Sequence, residues 1–340
     1  MTELIATTMR AVRQPAYGTS EVWEIGREPV PRPGPGRVLV EVAAAGLDHG
    51  TWHLLTGKPY LMRLATGFTK PRRVVPGLDL AGRVVAIGAG VTRFGVGDEV
   101  FGIGEGSLAE YATAREEKLS LRPECWTAAQ AAAVPVSGLT AWQALHESAG
   151  VTAEHRVLVT GASGGVGSYA VQLAVAAGAE VTALCSGAKT DFVRGLGAQR
   201  VLDYRRVSLA DLADSGTPGE QFDIVLDIGG RAGLRLLRRL TARGGTVVLV
   251  GGDDKNVVFG PLGRSLRGVV WSPLAGVRFV MLVATEHHAG LDAMAELGEA
   301  GRLTPAVDRV VPLDQAADAI AALGAGQVRG KVVIEIASRD

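Results

Sequence analysis

Residues 157–174 read Val-Leu-Val-Thr-Gly-Ala-Ser-Gly-Gly-Val-Gly-Ser-Tyr-Ala-Val-Gln-Leu-Ala. The aliphatic, β-branched run Val157–Thr160 predicts a buried strand. A glycine-rich turn follows, and an amphipathic helix is predicted to begin near Gly165. A strand that feeds a helix through glycines brings backbone N–H groups and a helix N-terminus onto one point, a geometry suited to a pyrophosphate. The full fingerprint asks for glycine at three places. Ala162, Gly164 and Gly167 occupy them, so the first has become alanine. A tight strand–helix turn also needs glycine for structural reasons alone, and the motif by itself does not separate the two uses.

A dinucleotide adds a second requirement. The carboxylate that bonds the ribose 2′-hydroxyl of NAD stands at the end of the next strand, about twenty residues on. That strand is Glu180–Cys185, with Glu180 at its wrong end and Ser186-Gly-Ala-Lys189 at the right one. A hydroxyl and an ammonium without a carboxylate suit a 2′-phosphate, so NADPH is expected over NADH. The alternative is that Lys189 is an ordinary solvated helix residue. His49 and His53, at i and i+4, can share a helix face. With no further soft ligand they make no zinc site.

These groups need a frame, and 340 residues suggest two domains. Short strands and glycine turns dominate the first third: strands are predicted at Val38–Ala45, Gly82–Ile87, Gly97–Gly102 and Leu108–Ala112, with a glycine hairpin at Gly88–Gly90. Near residue 127 the rhythm changes. Thr127 is a candidate N-cap for a helix over Ala128–Val134, and Leu139–Glu147 reads as a second helix. From His155, strands at 156–160, 180–185, 200–202, 222–227 and 245–250 alternate with helices, which predicts a parallel sheet. The apolar segment 257–277, with Arg264 and Arg267, fits either an inserted helix near a substrate cleft or a helix packed on the sheet. Arg278–Ala284 reads as one more strand, and Leu291–Glu335 as helix, strand, helix, strand. The predicted division is a β-rich domain of 1–126 with 286–340, and an α/β domain of 127–285.

Thirty-five basic residues balance thirty-five acidic ones, so no long-range field attracts nucleic acid or a membrane surface. Two distant cysteines, Cys125 and Cys185, exclude a disulfide scaffold and a four-cysteine zinc lobe. Met1–Arg10 carries neither a long apolar core nor a cleavage signal, and no apolar stretch has the length of a spanning helix. A reducing cytoplasm is the expected compartment.

Taken in order, Ala44-Ala-Gly-Leu-Asp48, Pro76-Gly-Leu-Asp-Leu-Ala-Gly82, Gly97-Asp-Glu-Val-Phe-Gly102, Ala131–Trp142, Gly161–Gly167, Leu196-Gly-Ala198 with Asp203-Tyr-Arg205, and Gly330-Lys-Val-Val333 resemble the medium-chain dehydrogenase/reductase superfamily over nearly the whole chain. Within it the chain is similar to the zinc-independent quinone oxidoreductase and enoyl-reductase branch. The resemblance implies a doubly wound parallel Rossmann sheet (an α/β fold) beside a β-rich GroES-like barrel. It also implies that Ser163, Gly164, Gly165 and Val166 lie against the pyrophosphate, and that Ser186, Lys189 and Tyr204 meet the 2′-phosphate. Thr140, Gly251 and Gly252 should approach the nicotinamide. The zinc-dependent relatives place cysteine where this chain has Asp48, and a His-Glu pair where it has Leu78-Asp79, so no metal is expected. His53 stands where the branch commonly has tyrosine, and Asp48 where it has asparagine; Tyr60 is a candidate for the missing phenol.

Without a Lewis acid, hydride transfer favours an acceptor that is already electron-poor: a quinone, or the β-carbon of an α,β-unsaturated carbonyl. His53, His49 and Tyr60 are the candidate proton donors, with Asp48 orienting a neighbour or bonding the nicotinamide ribose. Water is the competing proton source. Two other readings stay open: a dedicated reductase of one biosynthetic intermediate, and a non-catalytic NADPH-binding protein. A homodimer is expected, because Arg278–Ala284 would be an apolar edge strand and the resembling family joins two sheets there.

Overall fold

The computed structural model describes residues 7–214, 221–251, 258, 260 and 262–336. They form two compact units, residues 1–137 with 286–340, and residues 138–285.

The first unit opens with strands β1 (Thr8–Arg13), β2 (Glu24–Pro29) and β3 (Arg37–Leu47), then helices α1 (His49–Thr56) and α2 (Arg63–Thr66). Strands β4 (Asp79–Ile87), β5 (Glu99–Ile103), β6 (Tyr111–Arg115) and β7 (Leu119–Leu121) follow, then α3 (Ala128–Ala132) and α4 (Pro135–Trp142). β3 is central because Val38, Val40 and Val42 are fully buried, and it pairs antiparallel with both β4 and β6. The predicted strand over 108–112 starts later, at Tyr111. Leu108 and Ala109 instead serve β1, Leu108 accepting from Val12 N at 2.9 Å and Ala109 bridging Ala11. Thr127 does cap α3, in a reciprocal box with Gln130. The buried Ala131 and Ala132 pack α3 on β3, β4 and β5, so this helix goes with the barrel unit, whereas the sequence pattern groups it with the alternating segment.

The chain changes unit inside α4. After a π-helical stretch, Gln143–Ala149, come β8 (Arg156–Thr160), α5 (Gly165–Ala176), β9 (Glu180–Cys185), α6 (Thr190–Gly195), β10 (Arg200–Asp203) and α7 (Leu209–Asp214). β11 (Phe222–Asp227), α8 (Leu234–Leu240), β12 (Thr241–Leu249), α9 (Leu262–Ala275) and β13 (Arg278–Met281) complete the unit. Its strands pair in parallel in the order β10-β9-β8-β11-β12-β13, a doubly wound sheet whose strand order reverses at β8. Val157, Leu158 and Val159 are all fully buried, as expected of a strand covered on both faces. α9 resolves the two readings of 257–277: it packs on the sheet, with Gly268 facing Leu249, Leu234 and Phe279.

The chain then returns to the first unit with α10 (His288–Glu299), β14 (Val307–Pro312), α11 (Ala316–Gly324) and β15 (Lys331–Glu335). β15 pairs with β3 and completes the seven-stranded sheet seen among the described residues. The fold is thus a Rossmann sheet plus a β-rich GroES-like domain.

Candidate functional site

In the second unit, the turn between β8 and α5 is shaped by two glycines. Gly161 takes φ +69°, and a Cβ there would stand 3.1 Å from Gly229 N. At Gly167 a Cβ would fall 2.2 Å from the Gly161 carbonyl oxygen, so helix and turn approach too closely for any side chain. Ala162 is buried and donates its N–H to Leu184 O at 3.1 Å. Alanine is tolerated at this fingerprint position because the left-handed backbone sits one residue earlier. Ser163, Gly164, Gly165 and Val166 line the half-buried mouth of the turn. Gly164 is the N-cap of α5 and has no side chain to accept from the helix, so the first-turn N–H groups depend on an external acceptor.

Beside this turn, Thr160 Oγ1 donates to Asp227 Oδ1 at 3.0 Å and accepts from Gly229 N at 3.1 Å. Arg264 from α9 pairs with Asp227 and donates to Ala232 O at 2.6 Å. Sequence reasoning did not select Thr160, Asp227 or Gly229. The one signal for them was an arginine in a largely apolar helix, since a buried charge needs a partner. Gly251 closes the same rim: its N–H reaches Asp227 O at 3.3 Å, and a Cβ would lie 2.5 Å from Ile228 O. Gly252 lies outside the described residues. Thr140 is half-buried within α4.

At the end of β9, Ser186 and Lys189 are half-buried at the two ends of a 3₁₀ turn, closed by Lys189 N to Ser186 O at 2.8 Å. Tyr204 is half-exposed at the end of β10 and ties itself to Cys185 O through its N–H at 3.1 Å. The two strand ends thus present Ser186, Lys189 and Tyr204 along one rim. Asp203 joins them there.

In the first unit, Asp48 is the N-cap of α1, Oδ1 accepting from Thr51 N at 2.7 Å while Oδ2 is buried without a partner. His53 lies toward the other end of α1, and its Nδ1 meets Lys58 O at 2.8 Å. A carbonyl can only accept, so Nδ1 carries the proton, and Nε2 can give one up only from the doubly protonated ring. Asp48 and His53 therefore occupy opposite ends of one helix and are not a bonded pair. Tyr60 is 43% exposed, and the Arg63 guanidinium stands 4.7 Å from its ring centroid and 4.5 Å from that of Tyr17. His49 is exposed at the start of α1.

Two family models match, an alcohol dehydrogenase GroES-like domain over residues 34–124 and a zinc-binding dehydrogenase over 196–334. A chloroplast envelope quinone oxidoreductase homolog from Arabidopsis thaliana is 33% identical, the alignment covering 96% of this chain and 98% of the relative. The chain belongs to the medium-chain dehydrogenase/reductase superfamily, in its quinone oxidoreductase branch. A 2-methylene-furan-3-one reductase from Solanum lycopersicum is 32% identical over 97% of this chain and 80% of its own length. In fold, the quinone oxidoreductase of Coxiella burnetii superposes with a TM-score of 0.83 at 24% identity, over 97% of this chain and all of the other. The protein is an oxidoreductase of the medium-chain type.

One of the two matching families is a zinc-binding one, so the donor set matters. In this medium-chain oxidoreductase Asp79 is fully buried and already bonded: Lys331 Nζ donates to Oδ2 at 2.9 Å and Val136 N to Oδ1 at 2.8 Å. Leu78 has no donor atom, and one Asp48 oxygen is taken up in capping. Among the described residues no group of three or more His, Cys, Asp or Glu side chains could hold a metal ion. These residues do not fit zinc. Also among the described residues, no helix is long and apolar enough to cross a membrane.

Proposed function

We propose that this oxidoreductase uses NADPH, without zinc, to reduce a quinone or the β-carbon of an α,β-unsaturated carbonyl. The observation that carries the reading is the pair Asp48 and Leu78, which stand where zinc-dependent relatives place ligands: leucine offers no ligating atom, and Asp48 Oδ1 accepts from Thr51 N at 2.7 Å as the cap of α1. With no Lewis acid to polarise a simple alcohol or ketone, hydride transfer favours an acceptor that is already conjugated and electron-poor. The names of the two relatives, a quinone oxidoreductase homolog and a reductase of a methylene-furanone, agree with such acceptors.

A bound nicotinamide would supply the hydride. The chain's own task is to hold and orient. The turn Gly161–Gly167 and the N-terminus of α5 would hold the pyrophosphate, Ser186, Lys189 and Tyr204 would hold the 2′-phosphate, and Thr140 and Gly251 would bind at the nicotinamide end. His53 or Tyr60 would hold the proton that the acceptor's oxygen takes up on reduction.

The test is NADPH oxidation screened against quinones, enals, enones and enoyl thioesters, with and without a strong chelator. Turnover of a conjugated acceptor that survives chelation is expected. Activity lost to the chelator and restored by zinc would overturn the zinc-free reading, and stoichiometric binding without turnover would point to a non-catalytic NADPH-binding protein.

We further propose a homodimer. β13 ends its sheet with one side unpaired among the described strands, and α9 beside it leaves Val270 and Leu274 78% and 86% exposed. An edge strand next to an apolar stripe is closed by two-fold pairing with a second copy. Light scattering at micromolar concentration should return twice the chain mass; a monomer mass contradicts the proposal.

A further inference from the structure

The end of β9 lacks the carboxylate that would select NADH, yet the fold returns one to the same place. Asp203 closes β10, which runs parallel beside β9 with Asp203 opposite Cys185. Its carboxylate packs on Gly187, just beyond β9: a Cβ built on that glycine would stand 2.5 Å from Asp203 Oδ2. The acid thus fills the volume that a side chain at position 187 would claim. Oδ1 accepts from Arg205 N at 3.0 Å, which fixes the rotamer. The Arg206 guanidinium is 4.0 Å from Oδ2 but 87% exposed, so it neutralises little. Asp203 itself keeps 16% of its side chain exposed, enough for an oxygen to meet a ligand.

We infer that Asp203 is a specificity-determining residue at the ribose end of the cofactor site, supplying from β10 the carboxylate that β9 lacks. This inference rests on the reading that the second unit binds a nicotinamide dinucleotide. Toward NADH the carboxylate offers an acceptor to the 2′-hydroxyl. Toward NADPH it opposes the 2′-phosphate, which carries close to two negative charges at neutral pH. Lys189 and Ser186 pull the other way from the adjoining turn. Preference for NADPH is then a balance between two charges on one rim, and the chain binds both cofactors.

The experiment is fluorescence titration of NADPH and NADH against wild type, Asp203→Asn and Lys189→Ala, with no acceptor present. Asparagine keeps an oxygen for Arg205 N and removes only the charge. Asp203→Asn is expected to raise the ratio of the NADH to the NADPH dissociation constant about tenfold, the worth of one charge-assisted contact. Lys189→Ala should lower the same ratio. An unchanged or lowered ratio in a folded Asp203→Asn protein, checked by circular dichroism, overturns the role of Asp203. Should asparagine misfold, Asp203→Ser carries the same expectation. Wild-type protein that binds neither cofactor would defeat the proposed function itself, an outcome distinct from an unmoved ratio.

Discussion

Replacing Asp79 with alanine is expected to destabilise the protein by about 3–5 kcal/mol, because it strands the ammonium of Lys331 where water cannot reach it. Lys331 is 1% exposed, Asp79 0%, and besides the carboxylate the ammonium meets Ser137 Oγ at 3.2 Å. Lys331→Met should cost less, since the orphaned carboxyl can take up a proton. The carboxyl is already pushed up to about 7, first by burial and then by the nearby charge of Asp48, against the pull of Lys331 and Val136 N. Denaturant unfolding of both single variants and of Asp79→Ala/Lys331→Met closes the cycle. The double variant should lose less than Asp79→Ala, because no charge is left buried. Additive losses would show that the two groups are not coupled.

The same shift sets a pH dependence. The native carboxyl holds its proton up to about 7, while an unfolded one releases it near 3.8. Between those values the native state binds more protons, so this group's contribution to stability falls as pH rises across the window and is level above it. Asp79→Asn should flatten that slope. A slope identical to wild type would assign it to other groups.

The second large effect concerns the proton. His53→Ala is expected to cut turnover by roughly 10²- to 10⁴-fold, the usual worth of a general acid, while NADPH affinity barely moves. His53→Asn separates acid from scaffold. Its side-chain amide can still donate to Lys58 O, as the histidine Nδ1 does at 2.8 Å, but it cannot act as an acid. Loss in both variants supports proton donation. Activity that is kept by asparagine and lost by alanine makes the residue a brace for the turn leading to Tyr60. Tyr60→Phe, alone and with His53→Ala, should be assayed on the best enone and the best quinone. Unchanged turnover in the double variant on both substrates leaves water as the donor.

Much of this architecture is legible along the chain because it is decided over a few residues. Glycine placement and aliphatic runs mark β8, the turn and α5, since steric rules act locally. Thr127 and Gln130 announce α3 by the same logic, through a cap made within four residues. The glycine turn between β8 and α5 can therefore be read from the amino-acid order alone, and the family resemblance adds the residues expected to face a ligand.

The polar partners cannot be read that way. The absence of a carboxylate after β9 is plain in the sequence, yet lateral pairing with β10 sets Asp203 against Gly187. Lys331 meets Asp79 across 252 residues, and Arg264 meets Asp227 across 37. No short pattern encodes such pairs. Burial removes water from each charge, and the desolvation cost then demands whichever partner the folded chain brings within reach. Local periodicity determined which segments are strands and helices and where a pyrophosphate would rest. Only packing decided which charges stand at the strand ends beside Gly187 and which are spent on one another.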